Sequence, residues 1–87
     1  MFTAAWCTAC KMFKPIFIDL ADENRNKGIL LGMVDTEAQK ELARELNIRS
    51  LPTLIIFHQG APVYRGNMLP KMRLQELFDT LIEKNSQ

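Results

Sequence analysis

The two cysteines of this 87-residue chain stand close together in the run Trp6-Cys7-Thr8-Ala9-Cys10-Lys11. One close pair cannot cross-link distant parts of a chain, so its value lies in local chemistry. At the start of a helix, free backbone N–H groups and the helix dipole stabilise a thiolate. The order of the pair predicts Cys7 as the thiolate nucleophile, which can be exposed because it lies outside the first turn and follows an aromatic residue. Cys10, one turn further in, is then the more buried thiol that resolves a mixed disulfide.

Other uses of a lone Cys-x-x-Cys stay open at this point. A zinc site needs more ligands than the pair and the sole histidine, His58, can supply, so a metal site would have to be shared between two chains. A haem-attachment motif would have histidine where Lys11 stands. The remaining alternative is a pair of unreactive buried thiols.

The pair is followed by a pattern typical of an amphipathic helix. Apolar residues recur at helical spacing at Phe13, Ile16, Phe17 and Leu20. Pro15 lies inside this helix and should bend it, and turn residues end it at 24–28. The five residues before Trp6 are either the end of a strand or a frayed start.

The rest of the chain predicts an alternation of strands and helices, and hence a layered α/β domain. Strands are expected at residues 29–34, buried on both faces, at 53–57, and at 63–65 after a turn at 58–60, with Pro62 marking an irregular or edge strand. The second helix is expected to open at the N-cap Asp35 or Thr36 and to close at Asn47, with Ala38, Leu42 and Leu46 on its inner face. The last helix is expected to have Pro70 at its first position and an apolar stripe at Leu74, Leu77, Phe78, Leu81 and Ile82.

Composition narrows the class of protein. The net charge is +1, and the charged 24% of the residues is scattered, so we expect no nucleic-acid partner. No apolar run approaches the ~20 residues of a membrane span, and the N-terminus does not resemble a secretory signal. We therefore expect a single domain over residues 1–87, cytoplasmic and without membrane contact.

At this point the chain resembles a known family. The run from Trp6 to Met12 is similar to the WCxxCKM signature of the thioredoxin family, and Pro15 to the proline of its active-site helix. Residues 48–53 resemble the loop that carries its cis-proline, residues 57–60 its hairpin turn, and Gly66 the glycine facing its active site. Within the family, residues 34–53 most resemble the second, zinc-carrying bacterial thioredoxin, whose zinc module is absent here.

The resemblance implies a thioredoxin-like α/β fold with a mixed sheet and flanking helices, lacking the N-terminal strand and helix and most of the next central strand. It implies a thiol–disulfide oxidoreductase that reduces protein disulfides through Cys7 and Cys10, with no cofactor beyond that redox-active disulfide and no metal. Its electron donor would be a thioredoxin-reductase-like or glutathione-linked partner. The Leu51–Pro52 bond would be cis, and the substrate would dock on a rim formed by Trp6, Thr8, Ala9, Leu51, Pro52, Gly66 and Asn67.

The chain departs from the family pattern at three places. Met1 stands where the family has a buried acid and Met33 where it has the lysine partner, which predicts a slower Cys10. The residues between the cysteines are Thr8 and Ala9 in place of glycine and proline. The absent strands leave unpaired edges, which predicts a self-complementing homodimer or a rearranged sheet. The alternative function is therefore a catalytically weak binding or assembly module that acts through its groove or by dimerisation.

Overall fold

A computed structural model describes residues 1–85, which form two small sheets and three α-helices. The strands are β1 (Phe2–Thr3), β2 (Val34–Asp35), β3 (Leu54–His58) and β4 (Ala61–Gly66). The α-helices are α1 (Thr8–Glu23), α2 (Lys40–Glu45) and α3 (Lys71–Asn85), and a 3-10 turn spans Arg25–Lys27.

The short strand β1 connects the two small sheets. It pairs in parallel with β2, with Phe2 beside Val34. On its other side Phe2 forms an antiparallel bridge to Thr53, and the Phe2 N–H donates to the Thr53 carbonyl at 2.8 Å. The residues before Trp6 are therefore the end of a strand, and the expected mixed arrangement with flanking helices is confirmed.

The predicted strand at residues 29–34 is wrong for most of its length, because only Val34 and Asp35 are in a strand. The Met1 amine donates to the Gly32 carbonyl at 2.7 Å, and Val34 N–H donates to the Met1 carbonyl at 2.9 Å. Within residues 1–85, no other strand continues this ladder past Met1. Leu30 is 97% exposed, so this segment is not buried on both faces.

The second helix starts later than predicted. Its first residue is Lys40 and its N-cap is Gln39, whose side chain makes no capping hydrogen bond. Asp35 instead accepts a hydrogen bond from the Glu37 N–H at 2.8 Å, which stabilises a turn over residues 36–38. This local bond competes with the helix start, and the predicted N-cap at Asp35 or Thr36 is wrong.

The buried face of α2 differs from the predicted one, whereas the end of the helix is as predicted. Ala43 is the buried residue of this helix, while Ala38 and Leu42 are exposed. Asn47 adopts a left-handed φ of 54°. Its N–H donates to the Arg44 carbonyl and the next N–H, of Ile48, donates to the Ala43 carbonyl at 2.9 Å. These two bonds form a Schellman motif, which ends the helix at Asn47.

The hairpin of β3 and β4 turns at Gln59 and Gly60, both with positive φ, as a two-residue turn of the primed type requires. β4 is longer than the predicted 63–65, and its register shifts opposite Phe57, beside Pro62, where an irregularity was expected. The Pro70 carbonyl accepts the first hydrogen bond of α3, from Leu74, so this helix begins one residue after the predicted position.

Helices α1 and α3 pack on each other and on one face of the sheets. The core consists of Met1, Phe17, Leu20, Leu54, Met68, Leu74 and Phe78, with Phe13 and Ile16 packed against it. This confirms the apolar stripe predicted for α1. The two helices are also joined by a partly buried amide pair, in which Asn24 and Gln75 exchange hydrogen bonds at 2.9 Å. None of the helices within residues 1–85 is long and apolar enough to cross a membrane.

Candidate active site

The cysteine pair lies at the N-terminus of α1, where the sequence predicted it. Cys7 is the N-cap residue, with extended backbone angles, and its sulfur accepts a hydrogen bond from the Cys10 N–H at 3.2 Å. The Cys7 carbonyl accepts the Lys11 N–H at 3.2 Å, and the Cys7 N–H donates to the Ala4 carbonyl at 3.1 Å. The chain thus passes from β1 through one turn into the helix, and the Cys7 sulfur lies among the free N–H groups of the helix start.

Cys7 and Cys10 are joined as a disulfide, with their Cα atoms 5.3 Å apart. Cys10 is 2% exposed, as expected for the inner sulfur, but Cys7 is only 5% exposed. Cys7 is therefore buried in this oxidised form, although its place outside the first turn would allow it to be exposed. Its sulfur is held against the first turn by both the bond to Cys10 and the hydrogen bond from the Cys10 N–H.

Trp6 stands beside the pair with two thirds of its surface exposed, 67%. Its indole N–H donates to a Glu37 carboxylate oxygen at 2.9 Å, which fixes the ring between the cysteines and the turn before α2. No motif of the sequence pairs Glu37 with Trp6. The one available signal was the need of an indole N–H for an acceptor.

The loop with Leu51 and Pro52 lies next to the strand that leads to the cysteines. Phe2 of β1 forms an antiparallel bridge with Thr53. Continuing this register places Pro52 opposite Thr3 and Leu51 opposite Ala4. Both residues are half-buried, and the peptide bond between them is cis. The Thr53 hydroxyl donates to the Ser50 carbonyl at 2.5 Å, and this hydrogen bond closes the loop of residues 50–53.

The remaining rim residues lie at the same end of the sheet. Gly66 pairs with Leu54 at the end of β4, and Asn67 follows it. A Cβ atom at Gly66 would lie 3.0 Å from the Tyr64 hydroxyl oxygen, and that hydroxyl donates to the Asn67 carbonyl at 2.7 Å. A side chain at Gly66 would therefore disturb this contact. Thr8 and Ala9 are exposed in the first turn of α1.

A cavity of about 470 Å³ lies beside Cys10. Met1 and Met33, which stand where the resemblance implies an acid and a lysine, both line it together with Cys10. Among the described residues that line it, Asp35 supplies a carboxylate, and Lys11 and Lys14 add positive charge. Asp35 reaches this cavity because it lies two residues after Met33, on the same side of an extended segment, and this spacing is readable in the sequence.

No group of three or more histidine, cysteine, aspartate or glutamate side chains is placed to hold a metal ion in the part of the chain that the structure describes. A metal site shared between two chains stays a hypothesis.

Comparison with known proteins identifies the family. The thioredoxin family model matches residues 1–83. The chain is 41% identical over 64 residues to a bifunctional thioredoxin reductase/thioredoxin of Mycobacterium leprae, which covers 74% of this chain and 14% of that protein. It is 39% identical over 78 residues to a putative thioredoxin 2 of Streptomyces coelicolor, covering 88% of this chain and 57% of the relative.

The fold is similar to that of a mutant thioredoxin from Halobacterium salinarum, with a TM-score of 0.82 and 26% identity. The match covers 93% of this chain and 70% of that one. The chain thus spans only part of each relative. Because the family model matches nearly the whole chain, this chain belongs to the thioredoxin family.

Proposed function

We propose that the chain is a thiol–disulfide oxidoreductase that reduces protein disulfides through Cys7 and Cys10. The observation that carries this proposal is the position of the Cys7 sulfur at the N-cap of α1, where it accepts the Cys10 N–H. In the reduced protein this hydrogen bond and the helix dipole favour the thiolate over the thiol. Cys7 can then act as a nucleophile near neutral pH.

The reaction is a two-step exchange. The Cys7 thiolate attacks one sulfur of the substrate disulfide, whose S–S bond breaks and releases the other sulfur as a thiolate. The Cys10 thiolate then attacks the Cys7 sulfur and releases the second substrate thiol. Two electrons pass to the substrate, and the protein is left with the Cys7–Cys10 disulfide that the structure holds.

The second step should be the slow one. Cys10 lines a cavity in which Met1 and Met33 stand at the positions where the resemblance implies an acid and a lysine, and the carboxylate of Asp35 lies at a different position in its lining. General-base assistance contributes ~10²-fold or more to such proton transfers. The mixed disulfide should therefore accumulate during turnover.

Substrate docking is proposed on the rim around the pair. Trp6 offers an exposed ring fixed by Glu37, and Leu51 offers backbone groups beside the strand that leads to the cysteines. An extended substrate peptide could add to this edge as a short strand. Gly66 keeps the opposite side of the rim open, since a side chain there would meet Tyr64.

The electron donor is proposed to be a thioredoxin-reductase-like or glutathione-linked protein of the cytoplasm. The relative named a bifunctional thioredoxin reductase/thioredoxin supports a reductase as the partner, because its name places both activities in one polypeptide. Reduction of the oxidised chain by a bacterial thioredoxin reductase with NADPH, compared with glutathione and glutaredoxin, distinguishes the two donors.

The test of the main proposal is insulin reduction by dithiothreitol. The wild-type chain should accelerate precipitation of the insulin B chain, and Cys7→Ser should remove the acceleration. Cys10→Ser should form a stable mixed disulfide with insulin, visible on a non-reducing gel. Met72→Leu, at an exposed position of α3, is the matched control and should behave as wild type. A wild-type rate equal to that of buffer would refute the proposal.

A second function, a binding or assembly module that includes a homodimer, is favoured by one observation. Several large apolar side chains are exposed, among them Leu30, Phe57 and Val63. Solution mass under reducing conditions tests the dimer, and a monomer at all concentrations would refute it. If binding is the main function, Cys7→Ser and Cys10→Ser should both keep the partner.

A further inference from the structure

An arginine of strand β4 joins this strand to the end of helix α2. One terminal nitrogen of the Arg65 guanidinium donates to the Leu46 carbonyl, and the other donates to the Asn47 carbonyl at 2.7 Å. We propose that Arg65 is a positioning residue, which holds the loop of residues 48–52 where Leu51 can receive a protein substrate. The inference rests on the proposed function, and it assigns a part in protein-substrate docking to a residue outside the rim.

The direction of the Arg65 side chain follows from its place in β4. Its neighbour Tyr64 packs against the core formed with α1 and α3. Because side chains alternate across a strand, Arg65 points to the opposite face of the β3–β4 sheet. Its two hydrogen bonds place the end of α2 on this opposite face. The register of β4, in which Arg65 pairs with Ile55, therefore directs the guanidinium at α2.

The acceptors of these hydrogen bonds lie at the C-terminal end of α2. The last carbonyls of a helix have no following turn to supply N–H donors. The Schellman motif uses the carbonyls of Ala43 and Arg44, and the next two acceptors, Leu46 and Asn47, bind Arg65. A planar guanidinium offers two donors at a fixed separation together with a positive charge, and both suit the negative end of a helix. The chain is thereby fixed at the point where the loop starts.

Helix α2 depends on hydrogen bonds to the strands because it is short and little buried. It has six residues, of which Ala43 is the buried one. The turn before α2 is held to β1, since the Thr36 N–H donates to the Thr3 carbonyl at 2.9 Å. Arg65 holds the other end of the helix to β4. Loss of the Arg65 bonds would therefore release the end of α2 that leads into the loop.

The far end of the loop is held independently of Arg65. There Thr53 forms the bridge to Phe2, and its hydroxyl donates to the Ser50 carbonyl. With the near end released and the far end held, Leu51 would be less restricted relative to the cysteines. A substrate that pairs with the Leu51 backbone must then order the loop as it binds. Docking of a protein substrate would weaken, and the chemistry of the sulfur atoms would not change.

The test compares a protein disulfide with a small one in a single turnover. The reduced chain is mixed with excess insulin or with bis(2-hydroxyethyl) disulfide, the reaction is stopped with acid, and the remaining thiols are counted by alkylation and mass. In Arg65→Met, the half-saturating insulin concentration should rise about two- to tenfold, the range that one net hydrogen bond gives. The maximal rate should stay the same. The rate with the small disulfide, which has no peptide backbone to pair with Leu51, should also stay the same.

Two matched variants separate the hydrogen bonds from the charge. Arg44→Met removes the same charge from an exposed position in the last turn of α2 and should behave as wild type. Arg65→Lys keeps the charge without the planar pair of donors, so its half-saturating concentration should lie between those of wild type and Arg65→Met. It also carries the comparison if Arg65→Met does not fold.

Hydrogen exchange reports the position of the loop directly. The Ile48 N–H, which donates to the Ala43 carbonyl, should exchange about two- to tenfold faster in Arg65→Met, because the end of α2 opens more often. The Leu74 N–H in α3 should exchange at nearly the same rate, which shows that the variant is folded. Unchanged exchange of Ile48 would show that Arg65 does not hold the loop.

The kinetic results can also overturn the proposal. An unchanged half-saturating insulin concentration in Arg65→Met, with the small disulfide still reduced, would refute the positioning role and leave the proposed function intact. An equal rise in Arg44→Met would assign the effect to charge alone. A rate with the small disulfide that falls by the same factor would place the effect at the cysteines. A wild-type chain that reduces neither disulfide would refute the proposed function and the positioning role together.

Discussion

Replacement of Asn24 is the perturbation for which the structure gives the sharpest expectation. Asn24 follows α1 and is fully buried. Its side-chain amide N–H groups donate to the Leu20 carbonyl at 2.7 Å and to the Gln75 carbonyl oxygen at 2.9 Å. Its own carbonyl oxygen accepts from the Gln75 amide at 2.9 Å. The end of α1 opposite to the cysteines is thereby fixed to α3.

The magnitude follows from the groups that lose partners. Asn24→Ala removes three hydrogen bonds, but the Leu20 carbonyl keeps the Asn24 N–H and the Gln75 amide keeps Asp79. One part-buried acceptor, the Gln75 carbonyl oxygen, loses its Asn24 partner. The two bonds whose partners keep another hydrogen bond cost about 1 kcal/mol each, and the lost partner of the Gln75 carbonyl oxygen costs about 1–3 kcal/mol, so we expect a loss of about 3–5 kcal/mol. For a domain of this size that corresponds to a fall in Tm of roughly 12–40 °C.

A double-mutant cycle with Gln75→Ala provides the assay. Urea unfolding of the wild type, the two single variants and the double variant gives the coupling energy, which should be about 1–2 kcal/mol because the two amides share two hydrogen bonds. Thr80→Ser, on the exposed side of α3, is the control and should leave the free energy of unfolding unchanged within about 0.5 kcal/mol. A coupling energy near zero would refute the pairing, whatever the size of the single effects.

Three further predictions concern other parts of the chain. Glu37→Ala should shift the fluorescence of Trp6, the sole tryptophan, and raise KM for insulin a few-fold, whereas Glu37→Gln, which can still accept the indole N–H, should not; an unchanged spectrum in both would contradict the contact. Burial lowers the pKa of the Met1 amine from 8.0 to about 6. In a polypeptide with this amine free, the unfolded state binds more protons than the folded state between pH 6 and pH 8. The free energy of unfolding should therefore rise by roughly 1–2 kcal/mol over this range, a value reduced to account for the exposed part of the amine. N-terminal acetylation should remove this pH dependence. Asn47→Val should cost about 1–2 kcal/mol because of the positive φ, while Asn47→Gly should be nearly neutral in urea unfolding.

The sequence predicted those features that local chemistry decides. The position of Cys7 at the start of α1 follows from the spacing of the two cysteines and from the apolar stripe of the helix after them, and the sequence shows both. Asn47 ends α2 because asparagine tolerates the left-handed conformation, again a local property. Thioredoxin membership was predicted from a few motifs at matching spacing, and the family model confirms it.

The failures arise where a distant partner decides the outcome. Residues 29–33 have the composition of a buried strand, but a strand forms only where a neighbour supplies hydrogen bonds, and β1 supplies them only as far as Gly32. The start of α2 was misplaced because Asp35 bonds to Glu37 in a turn instead of capping a helix. The sequence also does not show that Cys7 is buried, because its exposure is set by the folded chain around the pair.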